Sequence, residues 1–198
     1  VFVTIIVSDA KLNYVVHKQL ITFYSPFFDR AFNGQFIEGE NQTMTLEDVD
    51  GNTFGLFVNW LYTQKVCHAG SEPKKLEVME MAMLWTLAGR FIIPKLQNQS
   101  MLDLQCAMGD GDWNKSLLVY KYAYEVEEAT KLKVAAVQDL LEYIGNAEYE
   151  KIGNHVQDIP HNMLVDFTKI LLKKWEYRPG NFEFEELMAE EIKAEKDD

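Results

Sequence analysis

Apolar residues alternate from the first position. Val1, Val3, Ile5 and Val7 fall on one side of an extended chain and Phe2, Thr4 and Ile6 on the other. That is the period-two pattern of a strand with apolar residues on nearly both faces, hence central or covered in a sheet. A second extended run occupies residues 13–16, and Ser8-Asp9-Ala10-Lys11 is turn chemistry, so residues 1–16 read as a hairpin. Ser25-Pro26 then has the form of a helix start, with Ser as cap and Pro at the first helical position. Phe27, Phe28, Ala31 and Phe32 make its apolar face, and Asn33-Gly34 stops it. Residues 43–46 alternate again, with Met44 and Leu46 pointing one way.

From Asp50-Gly51-Asn52, a turn and cap, the period changes. Phe54, Phe57, Val58 and Leu61 recur at i, i+3, i+4, i+7, the spacing of a helix face. Residues 64–73 read as a loop with a short strand at 65–68. Pro73 can open the next helix, which carries Leu76, Met79, Met83 and Leu87 and is broken by Gly89. Pro94 opens another, with Ile93, Leu96, Ser100 and Leu104 on one face. Gly109-Asp110-Gly111-Asp112 is the best boundary in the chain, flexible and solvated. Beyond it the pattern is helical. Leu117, Tyr120 and Tyr124 form one stripe, Val134, Val137, Leu141 and Ile144 a second, and Leu164, Phe167, Leu171 and Trp175 a third. Arg178-Pro179-Gly180 ends that helix, and an acidic final helix carries Phe184, Met188 and Ile192. The fold class expected is α+β, a small sheet beside a cluster of helices, in two parts: residues 1–108 and a helical extension, 113–198.

Composition narrows the function more than the fold. The chain has 198 residues, 47% of them hydrophobic and 13% aromatic, which is a globular composition. Of the net charge of −12, half lies in residues 183–198, with eight acidic residues and two lysines. This balance disfavours nucleic-acid phosphates and anionic membranes as partners. The acidic tail reads as a solvated helix, with a basic protein partner as the alternative. Cys67 and Cys106 are too few for a disulfide framework and fit a reducing compartment. No apolar run is long enough to span a membrane and no signal peptide is visible, so an intracellular location, cytoplasm or nucleus, is expected. The chain begins at Val1 rather than Met, so upstream residues are expected to be missing.

Candidate chemistry is thin. His17, His68, His155 and His161 are scattered, and Cys67-His68 has no second pair to complete a zinc site. Asp48-x-Asp50-x-Asn52 and Asp110-x-Asp112-x-Asn114 begin like calcium loops. Both lack the sixth-position Gly and twelfth-position Glu, so helix capping explains them better. There is no nucleophile elbow, phosphate-cradling loop or dinucleotide fingerprint. The glycosylation patterns at Asn41, Asn98 and Asn114 read as chance. No catalytic residue, cofactor or metal is expected, and the chain does not read as an enzyme.

Several of these residues fall together in a recognisable order. His17-Lys18 with Leu20, Ser25-Pro26 with Phe28, Phe36-x-Glu38-Gly39, Leu46, and Phe54-x-x-Phe57 leading to Trp60-Leu61-Tyr62-Thr63 resemble the BTB/POZ domain. The wording is most similar to its stand-alone fungal members. The resemblance covers about residues 1–107. It implies a non-catalytic protein-interaction module, either a substrate adaptor for a cullin-type ubiquitin ligase or an oligomerising scaffold, for example in transcriptional regulation. It also implies a partner surface at Tyr62, Gln64, Val66, His68 and Phe91.

Two departures modify this. The apolar-x-Glu motif of some cullin-binding members is missing between Gln64 and Lys75, and Val78-Met79-Glu80 matches it only formally. The upstream element through which many members dimerise is not in this sequence, so a monomer or weak dimer is expected. Physically, His17 is placed to satisfy two backbone groups, Phe36 to pin its loop to the core with Glu38 left wet, and Tyr62 to stand partly exposed at its helix end.

Overall fold

The protein is described from a computed structural model over residues 1–7, 12–70, 76–109, 112–127, 129–146, 153 and 155–176. Strand β1 (Phe2–Val7) is central, between β2 (Leu12–His17), which is antiparallel to it, and β3 (Thr43–Leu46), which is parallel. The alternation sorts the two faces. Val3, Ile5 and Val7 are buried together with Val16, Met44 and Leu46. Across the same register Phe2 and Val15 point the other way and are exposed. Residues 8–11, read as the hairpin turn, lie outside the described residues.

A parallel neighbour needs a crossover, and three short helices supply it: α1 (Lys18–Tyr24), α2 (Pro26–Asn33) and α3 (Ile37–Asn41). The Ser25-Pro26 corner behaves as its chemistry requires. Ser25 Oγ accepts the Phe28 N–H at 3.3 Å, and Pro26 fills the first helical position. The Phe36 turn does not. Phe36 is 60% exposed and Glu38 is half-buried. The turn is held by backbone instead: a Cβ on Gly39 would lie 2.7 Å from the Gly34 carbonyl oxygen. Glycine therefore lets α3 close on the end of α2, and the Phe36 ring is left outside.

Helix α4 (Gly51–Thr63) starts on Asp50, whose Oδ2 accepts the Thr53 N–H at 2.7 Å and the Thr53 hydroxyl at 2.8 Å. Its buried residues are Phe54, Leu56, Phe57, Trp60 and Leu61. Val58 is only half-buried. No strand forms at 65–68. That stretch is tied to α4 by Asn59 Nδ2, which donates to the Cys67 carbonyl at 2.7 Å. The helix start expected at Pro73 lies outside the described residues. Helix α5 (Val78–Arg90) begins after a capping box between Glu77 and Glu80 and runs through Gly89. It packs against α4, α6 (Pro94–Met108) and α7 (Trp113–Glu125). Its buried face is accordingly wide, from Val78 through Met81, Leu84 and Trp85 to Ala88, with Met79 and Met83 at its half-buried margin. In α6 the expected face of Leu96, Ser100 and Leu104 is fully buried.

Helix α7 is capped by Asp112, whose carboxylate accepts the N–H groups of Asn114 and Lys115. Its buried residues are Trp113, Ser116, Val119, Tyr120 and Ala123, so Tyr120 keeps its expected place while Leu117 and Tyr124 are half-buried. The stripe expected on α8 (Thr130–Asn146) is rotated. Val134 is 50% exposed, and Leu132, Ala135, Ala136, Val137 and Leu140 are buried, because two alanines allow close helix contact. Tyr120 Oη donates to Asp139 Oδ2 at 2.6 Å, and burial and then that carboxylate push the hydroxyl's pKa upward.

A 3-10 turn (Val156–Asp158) follows, with His155 stacked on Trp113 at 4.7 Å. The compact units divide after Pro160, so the 109–112 junction lies inside the first of them; Asp110 and Gly111 are not among the described residues. The second unit contains α9 (His161–Glu176), with Leu164 and Phe167 half-buried and Leu171 exposed. The predicted stop at 178–180 and the acidic helix after it lie outside the described residues.

The aromatic centre of this core is testable. Phe57 is 0% exposed, with Phe28 at 6.0 Å, Phe54 at 5.4 Å and Phe91 at 5.2 Å between ring centroids. Phe57→Ala is expected to cost roughly 3–5 kcal/mol in chemical denaturation, the range for an emptied aromatic core site. A loss below about 1 kcal/mol would contradict this packing.

Candidate partner surface

The C-terminus of α4 sets up the residues expected to meet a partner. Gln64 takes the left-handed conformation, with φ 57°, and its N–H returns to the Trp60 carbonyl at 2.8 Å, ending the helix. Its side chain reaches both ways. Nε2 donates to the Trp60 carbonyl at 3.1 Å, and Oε1 accepts from Lys95 Nζ on α6 at 2.9 Å. Val66 is half-buried in the coil that follows. His68, also half-buried, places Nε2 3.0 Å from Glu80 Oε1, and the other oxygen of that carboxylate accepts the Glu77 N–H. The loop after α4 is thus pinned to the start of α5.

Tyr62 turns elsewhere. It is 48% exposed, as expected for a residue about 100° round the helix from buried Leu61. Its hydroxyl oxygen accepts the backbone N–H of His17 at 3.2 Å and lies 2.9 Å from His17 Nδ1. The hydroxyl has one proton and two lone pairs, so it can bond Nδ1 of either imidazole tautomer while accepting the backbone N–H. The imidazole of His17 therefore answers a side chain, not the two backbone groups anticipated for it. Its ring also lies 4.4 Å from Phe2, so Phe2, His17 and Tyr62 form an aromatic row at the end of the sheet. The five expected residues therefore do not form one cluster. Gln64 and His68 join the α5–α6 side, and Tyr62 joins the sheet.

Phe91 offers nothing to a partner. It is 0% exposed, with rings of Phe27, Phe28, Phe54 and Phe57 around it at 4.6–6.3 Å, and its carbonyl accepts the Ser25 hydroxyl. The residue on the surface there is Ile92, which is 46% exposed. Helix α5 ends in a Schellman arrangement: Ile93 N–H bonds to the Ala88 carbonyl at 2.9 Å and Ile92 N–H to the Gly89 carbonyl at 3.0 Å. Ile92 itself takes φ 58°, where glycine is usual and a β-branched residue is an outlier. No sequence signal marks this turn, because the glycine that would announce it is absent. Beside it Arg90 Nη1 bonds Asp48 Oδ1 at 2.9 Å, and that bond holds the Asp48 carboxyl below its ordinary pKa range.

Among the described residues no group of three or more His, Cys, Asp or Glu side chains could hold a metal ion. Both thiols are free. The Asp50 and Asp112 carboxylates of the calcium-like motifs are engaged as helix caps. No helix among the described residues is long and apolar enough to cross a membrane.

Residues 3–108 match the BTB/POZ domain family. The chain belongs to that family. The match ends with the last residue of α6, so it takes in the sheet, the aromatic core and the α5–α6 turn. No match to a curated protein was found. As a BTB/POZ domain the chain is a protein-protein interaction module of a kind that also self-associates.

The left-handed Ile92 has a measurable consequence. An L-residue there costs roughly 1–2 kcal/mol, against about 0.5–1 kcal/mol for the extra unfolded-state freedom of glycine. Ile92→Gly should therefore raise unfolding free energy by about 0.5–1 kcal/mol. A loss of stability in denaturant titration would mean that the Ile92 side chain packs more tightly than its exposure implies.

Proposed function

We propose that this BTB/POZ domain recruits a cullin-type ubiquitin ligase subunit through the surface running from Tyr62 and the 64–68 loop to the α5–α6 turn, and so acts as a substrate adaptor. The observation that carries the reading is the α5–α6 turn. Ile92 keeps a large apolar side chain in solvent at the cost of a strained backbone, and strain of that kind concentrates at binding sites. Tyr62 supports it as a half-exposed ring whose polar tip is already oriented by His17, a low-entropy anchor for a partner. The hydrogen bonds from Asn59, Lys95 and Glu80's neighbourhood make the intervening loop a preformed rather than a floppy surface.

In this reading the domain is residues 1–108, and residues 113–198 are the helical extension that selects the recruited protein, inside the cell, in cytoplasm or nucleus. The second reading, an oligomerising scaffold without cullin binding, is favoured by the uncovered edge and outer face of the sheet, where Val15 and Phe2 are exposed.

Calorimetric titration with the N-terminal region of a cullin separates the two. Truncating an anchoring aromatic typically removes about 2 kcal/mol, so Tyr62→Ala should weaken the complex roughly thirtyfold while costing less stability than Phe57→Ala. No heat from the wild-type chain at tens of micromolar would remove the adaptor reading. Unchanged affinity in the variant would keep it and discard Tyr62.

A further inference from the structure

The hydrogen-bond phase of the sheet leaves a row of backbone groups on β2 aimed away from the molecule. Thr4 N–H bonds toward β3, to the Gln42 carbonyl at 2.9 Å, and Lys18 N–H bonds to the Val1 carbonyl at 3.1 Å. In the antiparallel register that pairs Val3 with Val16 and Ile5 with Tyr14, the even-numbered residues of β2 therefore bond to β1, and Asn13, Val15 and His17 face outward. Both groups of His17 are already engaged, the N–H on the Tyr62 hydroxyl and the carbonyl, at the N-cap of α1, in the first turn of that helix. The N–H and C=O groups of Asn13 and Val15 have no bond to any described residue.

Natural edge strands are protected by charge, proline, a bulge or a covering element. Strand β2, Leu-Asn-Tyr-Val-Val-His, has no carboxylate, ammonium or proline, and its register with β1 is unbroken over six residues. Val15 is 63% exposed and Leu12 45%. The other edge differs: β3 is four residues long and runs directly into Glu47 and Asp48.

We propose that β2 pairs with β2 of a second copy of this chain, antiparallel across a two-fold axis at Val15. This rests on the reading of the chain as an interaction module and names a surface for its self-association. The occupant follows from the strand's symmetry and charge. The free outward groups lie at Asn13 and Val15, so a two-fold operation at Val15 places it opposite its own mate, where the two exchange both backbone bonds, and Asn13 opposite His17 at the end of the contact. For a chain of net charge −12, an uncharged strand is a place where two copies can meet without opposing carboxylates. Tyr62 stays on the His17 N–H and marks where the pairing stops, so the contact is short and the dimer weak.

Sedimentation velocity and residue-resolved amide exchange test this on the intact chain. The wild type should shift from monomer to dimer as concentration rises to about 100 micromolar, as suits a small interface. The Asn13 and Val15 amides should exchange fast when dilute and slow when concentrated. Val15→Lys, on an exposed side chain, places like charges across the axis and should weaken association roughly tenfold. A wild type that stays monomeric, amides that exchange independently of concentration, or a dimer unaffected by Val15→Lys would each overturn the proposal. Should Val15→Lys fail to fold, wild-type exchange decides alone. A monomer that still binds the cullin region overturns the edge and leaves the adaptor reading intact, whereas a concentration-dependent dimer without cullin binding keeps the edge and removes the adaptor reading.

Discussion

The Ser25 hydroxyl donates to the Phe91 carbonyl at 2.7 Å, between two residues that are both 0% exposed and 66 positions apart. A carbonyl at the end of a helix and a hydroxyl at the start of another would each be orphaned by burial, at a cost of roughly 1–3 kcal/mol per group. Paired, they join the α1–α2 corner to the α5–α6 turn. The Phe91 ring beneath that bond touches Phe28 of the crossover and Phe57 of α4, so one residue fixes the relative position of three segments distant in sequence. The proposed partner surface depends on this arrangement because Ile92, the residue that emerges from it, is bonded directly to buried Phe91.

Elements with a single buried face were legible in the sequence. The alternation of residues 1–7, Met44 with Leu46, the Ser25 and Asp50 caps, and the Leu96-Ser100-Leu104 face all follow from patterns that one environment imposes. Legibility failed where a helix has several neighbours or where small residues decide the contact. Helix α5 packs on three others and buries a face too wide for one stripe. Helix α8 packs on Ala135 and Ala136, which a search for large apolar residues passes over. The start of α5 is set by the Glu77–Glu80 capping box, a pairing that carries no apolar signal.

The candidate surface divides along similar lines. Tyr62 was placed by counting round a helix, and its exposure follows. The resemblance implies Phe91 as part of the partner surface, but an aromatic in a turn can be the core's own anchor. Ile92 left no trace in the sequence, since a left-handed position is recognised by glycine and this one lacks it. His17 was read as a backbone partner because strand and helix meet there; its actual partner, 45 residues away, is a tertiary fact. What unites the proposed surface is that Tyr62 is held by its bonds to His17 and Ile92 by the turn on buried Phe91.

The central claim is that the Phe91 cluster makes one cooperative core of the sheet side and the α5–α6 side. Native-state amide exchange across a denaturant series tests it most directly, because it resolves the opening free energy of each segment. The account predicts that the slowest amides of α2, α4 and α5, including Phe28 and Phe57, merge into a single global opening. Opening of the α5–α6 turn with the Phe91 amide at a free energy well below that of Phe57 would contradict it.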